Sequence, residues 1–330
     1  MKPAKPLHKK HVKHFQRYFL NCSIITALAV PVPALAVNIE TSYGKRHGDI
    51  TYQIGGQFTI DSALKGRARF PLSELRFQTN TPIVSASLSH LFNEEWMISA
   101  LVTKNTNSSA GQMQDSDWGL NYSFENPQAF PRDSLDIYSE SRLKMSSLDI
   151  KIDLHKKVNV NFLPLWEIFV GAGIYSQRYD FETFDTIQSY PSTPERPKII
   201  LDEKTLIYRY DSTMPFVSLK MKHHFSEKFL TSLFINYSPW LQVSDYDNHI
   251  LRKKTSEGES DGWGIIFDVG IKYLINKRIH IQASVNYLKT VANGIQSQQF
   301  PEDSEFDSAE IGLRNTSEQT SASIGISYAF

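Results

Sequence analysis

Along most of this 330-residue chain, side chains of one kind recur at every second position, and that period decides what the chain can become. Trp263, Ile265, Phe267, Val269, Ile271 and Tyr273 alternate with Gly264, Ile266, Asp268, Gly270 and Lys272. Ile279 to Tyr287 and Ala322 to Phe330 repeat the pattern, as do Leu148 to Leu154, Trp166 to Ile174, Val217 to Met221 and Phe229 to Tyr237. An extended chain turns successive side chains to opposite sides, so each run is a strand with one apolar face and one polar face. A soluble sandwich would bury the apolar face, whereas a membrane barrel shows it to lipid and keeps the polar face in the lumen. Tyr and Trp at strand ends, and a last run ending on Phe330, match the aromatic girdles of a barrel. After the first forty or so positions no stretch is apolar for long enough to cross a bilayer as a helix.

Turn signals set the strand number. Short polar turns fall near Asn93 to Glu95, His155 to Lys157, Ser226 to Lys228 and Asn276 to Arg278. Longer segments fall near Gly55 to Pro71, Lys104 to Ser134, Phe181 to Thr205, Asn248 to Gly262 and Ala292 to Ser308. Four turns and five loops join ten strands. The expected fold is all-β: a ten-stranded antiparallel transmembrane β-barrel with long extracellular loops and short periplasmic turns. Several strands exceed the roughly 9–11 residues that cross a bilayer, so the barrel should rise beyond the outer leaflet.

The front of the chain is set apart. Met1 to Arg17 carries six Lys or Arg and no acid, an apolar run follows to about Val32, and Ala34-Leu35-Ala36 offers a small-x-small cleavage site. Residues 1–36 read as a secretory signal peptide and 37–330 as the barrel domain. Cys22, the one cysteine, lies in the leader, which leaves no disulfide for the exported part. Removing six cations from 35 leaves 29 against 35 acids, a net charge of −6. That balance disfavours nucleic acid and suits a cationic partner.

Two runs carry chemistry. In Ser244-Asp245-Tyr246-Asp247-Asn248-His249, three ionisable groups at spacing two share one face of a strand. A carboxylate beside an imidazole fixes the tautomer and strengthens the base. In Met113-Gln114-Asp115-Ser116-Asp117-Trp118, two carboxylates have the same spacing, close enough for one to hold its proton. Strand counting places Asp115 and Asp117 in the second long loop and Asp245 to His249 at the top of the seventh strand. The two hairpins then stand four strands apart and nearly opposite. The Asp115 run lacks the third oxygen ligand and turn glycine of a helix-loop calcium site. No Gly-x-Ser-x-Gly, His-Glu-x-x-His or exported cysteine anchors a serine, zinc-helix or thiol mechanism.

Both runs resemble motifs of the omptins, outer-membrane proteases built on a ten-stranded barrel. The likeness extends to Ala172-Gly173 with Arg178-Tyr179, to Met214-Pro215 and to the last strand. The resemblance implies an endopeptidase in which Asp115 and Asp117 face His249, which Asp247 orients, and a water held between them attacks the peptide carbonyl. It further implies that Asp245 and Met113 line the pocket for a basic side chain before the cleaved bond, and that Arg178 contacts lipopolysaccharide, an activator. Neither a cofactor nor a metal is expected. The partners would be surface peptides or proteins, lipopolysaccharide and the outer membrane of a Gram-negative bacterium, with the chain a monomer and its site extracellular. Two departures stand out: Tyr52 occupies the position of a second pocket acid, with Asp49 nearby as a substitute, and Asp211 falls where another lipid-binding arginine is expected. A catalytically silent surface adhesin is the alternative. A porin is disfavoured, because a ten-stranded barrel filled with side chains leaves little room for a channel.

Overall fold

The computed structural model describes residues 37–330, apart from 122–125, 127–128, 130, 161–164, 303 and 305–306. The expected leader, with Cys22, lies outside the described residues. All regular structure among these is β. In order, the strands are β1 (Val37–Ile60), β2 (Leu64–Arg67), β3 (Ser73–Gln78), β4 (Thr81–Phe92), β5 (Trp96–Asn105), β6 (Ser109–Trp118) and β7 (Leu135–Val158). Then come β8 (Trp166–Ser189), β9 (Ile199–Leu201), β10 (Leu206–His224), β11 (Phe229–His249), β12 (Lys254–Leu274), β13 (Ile279–Gln299) and β14 (Ser308–Ala329).

One antiparallel sheet holds all of them. From β1 the neighbours run through β14, β13, β12, β11, β10 and β8, and β8 pairs with β7. On its other side β1 pairs with β4 along Val37–Arg46 and with β3 along Asp49–Ile54. Likewise β7 pairs with β6 along its first half and with β5 along its second. Fourteen strands therefore stand where turn signals gave ten. Breaks between β3 and β4 and between β5 and β6 divide two long courses, while β2 and β9 are short ribbons folded onto β1 and β8.

The long loops also need correction, because they are mostly strand. The hairpin after β11 turns in the four residues between His249 and Lys254, with Lys253 in the left-handed region at φ 50°. Asp115 and Asp117 lie in β6, paired on both edges, rather than in a loop. Backbone polar groups in such extensions are satisfied by the ladder, and the side chains they carry are held far more firmly than in open loops.

An outward belt of exposed apolar side chains surrounds the lower half of the sheet. It includes Ile39, Val84, Leu88, Ile98, Ile152, Val170, Val217, Val269, Val285 and Ile324. Hydrocarbon solvates such a belt and water does not. Strands of 24 residues such as β1, β7 and β8 are more than twice the ~9–11 residues that the belt requires. Above the belt the inward side chains form a packed aromatic plug. Phe77 stacks on Tyr208 with ring centroids 4.5 Å apart and on Phe181 at 4.9 Å, and Tyr52 meets Tyr208 edge-on at 5.6 Å. Beneath it Arg46 pairs with Asp149 and donates to the Tyr179 hydroxyl at 2.6 Å.

One irregularity decides what faces the lumen. Below it, β11 points even-numbered residues inward, with Asn236 and Ser238 buried and Tyr237 exposed. Above it, odd-numbered residues point inward: Leu241, Val243, Asp245 and Asp247 are all buried. The ladders shift between Ser238 and Leu241 against β12, and between Thr213 and Val217 against β10. Pro239 and Trp240 stand there opposite the single residue Trp263. Proline cannot donate to a ladder, so Pro239 and Pro215 on the facing strand make this a natural place for a bulge. One extra residue inverts every side chain beyond it. Without it, the run ending at His249 would face outward.

Candidate active site

Each ionisable side chain singled out in the sequence is carried by a strand extension above the apolar belt. On β6 the inward positions are Ala110, Met113, Asp115 and Asp117, and on β11 they are Val243, Asp245 and Asp247. His249 ends β11 with its side chain 16 % exposed and Nε2 3.0 Å from Oδ2 of Asp247, whose own side chain is 1 % exposed. That contact lies within ion-pair range but off the line of a hydrogen bond, so neither oxygen of Asp247 has a hydrogen-bond partner. Nε2 is thus the ring nitrogen that His249 turns to the carboxylate.

The two runs share one electrostatic environment. Burial and the charge of Asp117 push the Asp115 carboxyl well above the usual carboxylate range, and the charge of Asp247 adds to the shift. Arg252 and Lys254 oppose it. Asp115 therefore holds its proton more tightly than an ordinary carboxyl. Burial is likewise the largest cause raising the Tyr52 hydroxyl, followed by Asp247, Asp245 and Asp115. Tyr52 thus stands among acids of both runs. Oδ1 of Asp115 is buried without a partner, an acceptor open to something the protein does not supply.

Asp245 is the most fully built of these groups. Its Oδ2 accepts from Asn315 Nδ2 at 2.7 Å, its Oδ1 is buried without a partner, and burial lifts its carboxyl to about 7. Asn315 also donates to Ser260 Oγ at 3.3 Å and accepts from the Tyr208 hydroxyl at 3.4 Å. Space for the carboxylate exists because residue 258, its partner across β12, is glycine. A Cβ there would lie 2.6 Å from Oδ2 and 2.6 Å from Leu313 Cδ2.

Lys254 was not legible from spacing alone. It sits directly opposite His249 in the β11–β12 ladder, in phase with inward-facing Ser256, Gly258 and Ser260. Burial lowers its ammonium, against the pull of Asp247, Asp117 and Asp115.

Some expected placements differ. Asp49 cannot stand in for the missing pocket acid, since it faces away from the lumen and pairs with Arg76 at 2.6 Å. Tyr52 fills that position, its hydroxyl accepting from Gln296 Nε2. Arg178 lies on the exposed wall, and Asp211, directly across from it on β10, holds its Nε at 2.6 Å. A second Asp-x-His run, Asp153 and His155, also pairs, at 3.1 Å, with Ser218 Oγ 2.9 Å from His155 Nε2. It lies inside the apolar belt with His155 1 % exposed, closed to any substrate.

A model described as the Omptin family matches residues 68–330. The chain belongs to the omptin family. No curated protein sequence matches it. The outer membrane protease OmpT from Escherichia coli superposes with a TM-score of 0.72, covering 91 % of this chain and 99 % of that one at 16 % identity. OprG from Pseudomonas aeruginosa, an outer membrane protein, gives a TM-score of 0.35 at 13 % identity over 90 % and 97 % of the two chains. The translocator domain of the autotransporter NalP from Neisseria meningitidis gives 0.35 at 9 % identity over 89 % and 88 %. Omptin membership and the OmpT-like fold together support an outer-membrane protease with an all-β, antiparallel architecture.

Proposed function

We propose that this omptin is an outer-membrane endopeptidase that hydrolyses peptide bonds near basic residues with a water held between Asp115–Asp117 and Asp247–His249. The observation carrying the reading is that both runs turn inward from separate hairpins and that the charge of Asp247 acts on Asp115. The unpartnered Oδ1 of Asp115 supplies one acceptor for the water, and the His249 imidazole takes its proton. As the oxygen attacks the carbonyl carbon, its proton passes to the imidazole and Asp247 stabilises the resulting imidazolium. The proton held by Asp115 then passes to the leaving nitrogen. No acyl-enzyme forms: the imidazole plays the base and the aspartate pair the acid, with no cofactor required.

In this reading the pairings β1–β4–β5–β7–β8–β10–β11–β12–β13–β14–β1 close a ten-membered barrel in the outer membrane, with the catalytic hairpins extracellular. Residues 1–36 act as the export signal. Asp245 and Met113 line the pocket for the basic side chain. Arg178 contributes to lipopolysaccharide contact in exchange for its bond to Asp211, and the chain acts as a monomer on peptides or proteins at the cell surface. Asp115→Asn and His249→Ala should each abolish cleavage of a mixed peptide library while leaving a heat-modifiable barrel. Full cleavage by either variant would dismiss the mechanism.

A further inference from the structure

In the protease reading, and resting on it, the groups around Asp245 also say which basic side chain the pocket prefers. We infer that the Asp245–Tyr52–Asn315 pocket selects lysine over arginine before the cleaved bond.

Free acceptors decide the preference. Asp245 has two carboxylate oxygens, and Oδ2 is committed to Asn315 Nδ2 at 2.7 Å. Asn315 cannot turn away, because its amide also donates to Ser260 and its carbonyl takes the Tyr208 hydroxyl. Only Oδ1 is open, and it is buried. The neighbouring position, which a second carboxylate would make into a receptor for two more donors, holds Tyr52. Its hydroxyl oxygen already accepts from Gln296 and adds no negative charge. Its ring is 2 % exposed and closed off edge-on by Tyr208, so it offers no open face for stacking a guanidinium.

Lysine needs one strong acceptor at the end of a slender stem and brings only three donors to it. Arginine brings five donors in a rigid fork whose best partner is a carboxylate with both oxygens free. Placed here, the fork would make one bond to Oδ1 and bury further N–H groups without partners, or displace Asn315 and strand its amide. Losing one charge-assisted hydrogen bond of the pair is worth about a tenfold preference.

The test uses two peptides identical except for Lys or Arg before the cleaved bond. Wild-type protein should cleave the Lys peptide with a kcat/KM about tenfold higher, and Asn315→Ala, which frees Oδ2, should bring the ratio toward one. Binding of the same two uncleaved peptides by Asp115→Asn protein separates pocket from chemistry and should show the same order. Arginine cleaved or bound as well as lysine, or an Asn315→Ala ratio unchanged from wild type, overturns the pocket assignment. Lysine-selective binding without cleavage of either peptide by the wild type would instead remove the protease reading and leave the pocket standing.

Discussion

Replacing Asp245 with Asn should make the folded protein more stable at alkaline pH and leave it nearly unchanged at acid pH. Burial raises this carboxyl to about 7 in the fold, against ~3.9 in an unfolded chain. The folded state therefore holds the proton more tightly. Below about pH 4 both states are protonated and no penalty exists. As pH climbs toward 7 the unfolded chain ionises while the fold resists, and above 7 the buried charge is carried at full cost. About three pH units of displacement correspond to on the order of 4 kcal/mol. Asn keeps a carbonyl oxygen for Asn315 Nδ2, so the hydrogen bond at that side survives while the charge is removed. Urea unfolding of wild type and Asp245→Asn in the same micelles, followed by the mobility difference between folded and unfolded barrel on unheated gels, reads the difference directly. At pH 8.5 the variant should resist unfolding by on the order of 4 kcal/mol more than the wild type, and at pH 4.5 by about 1 kcal/mol or less. A gap that does not change with pH would refute the assignment of a buried, weakly ionised carboxyl at this position.

Other substitutions test separate parts of the site. Gly258→Ala puts a methyl group 2.6 Å from Asp245 Oδ2 and from Leu313 Cδ2, so it should cost about 1–3 kcal/mol of unfolding free energy and raise KM for a Lys peptide. Lys254→Gln removes a cation that opposes protonation of Asp115. The alkaline limb of the kcat/KM profile, where the proton-donating aspartate loses its proton, should then move to higher pH by up to about one unit, since losing an opposite charge disfavours the ionised form. Arg46→Met leaves Asp149 as a buried charge without its partner, and it should lower unfolding free energy by about 3–5 kcal/mol with the catalytic pH profile intact.

Much of the architecture was written in the period of two, and the reason is physical. A strand between lipid and lumen must alternate, so β12, β13 and β14 announce themselves. What the alternation does not reveal is where it changes phase. Counting from the lipid-facing Tyr237, Asp245 and Asp247 come out on the lipid side. Only the extra residue at Pro239–Trp240 turns them inward, and the sole trace of it in the sequence is a proline facing another proline on the adjacent strand. Asp115 and Asp117 read as loop residues because their flanks are polar. Above the belt, however, a strand needs no apolar outer face, and the hydrogen-bonding ladder alone keeps β6 extended. Pairing motifs at spacing two gave Asp247 with His249, yet the same spacing marks Asp153 with His155, which the fold seals inside the belt. Lys254 and Asn315 belong to strands with no motif of their own. They reach the site through register, which no local pattern encodes.

If the two hairpins work as one unit on one water, their contributions to catalysis cannot add. The most direct measurement is a double-mutant cycle on kcat/KM with Asp115→Asn, His249→Ala and the pair combined, all in the same lipid and all verified as folded barrels. The account predicts that either change alone brings cleavage to near background and that the double variant is no worse than the poorer single one. Losses that multiply, or substantial cleavage by one of the single variants, would show that Asp115 and His249 do not share the reaction.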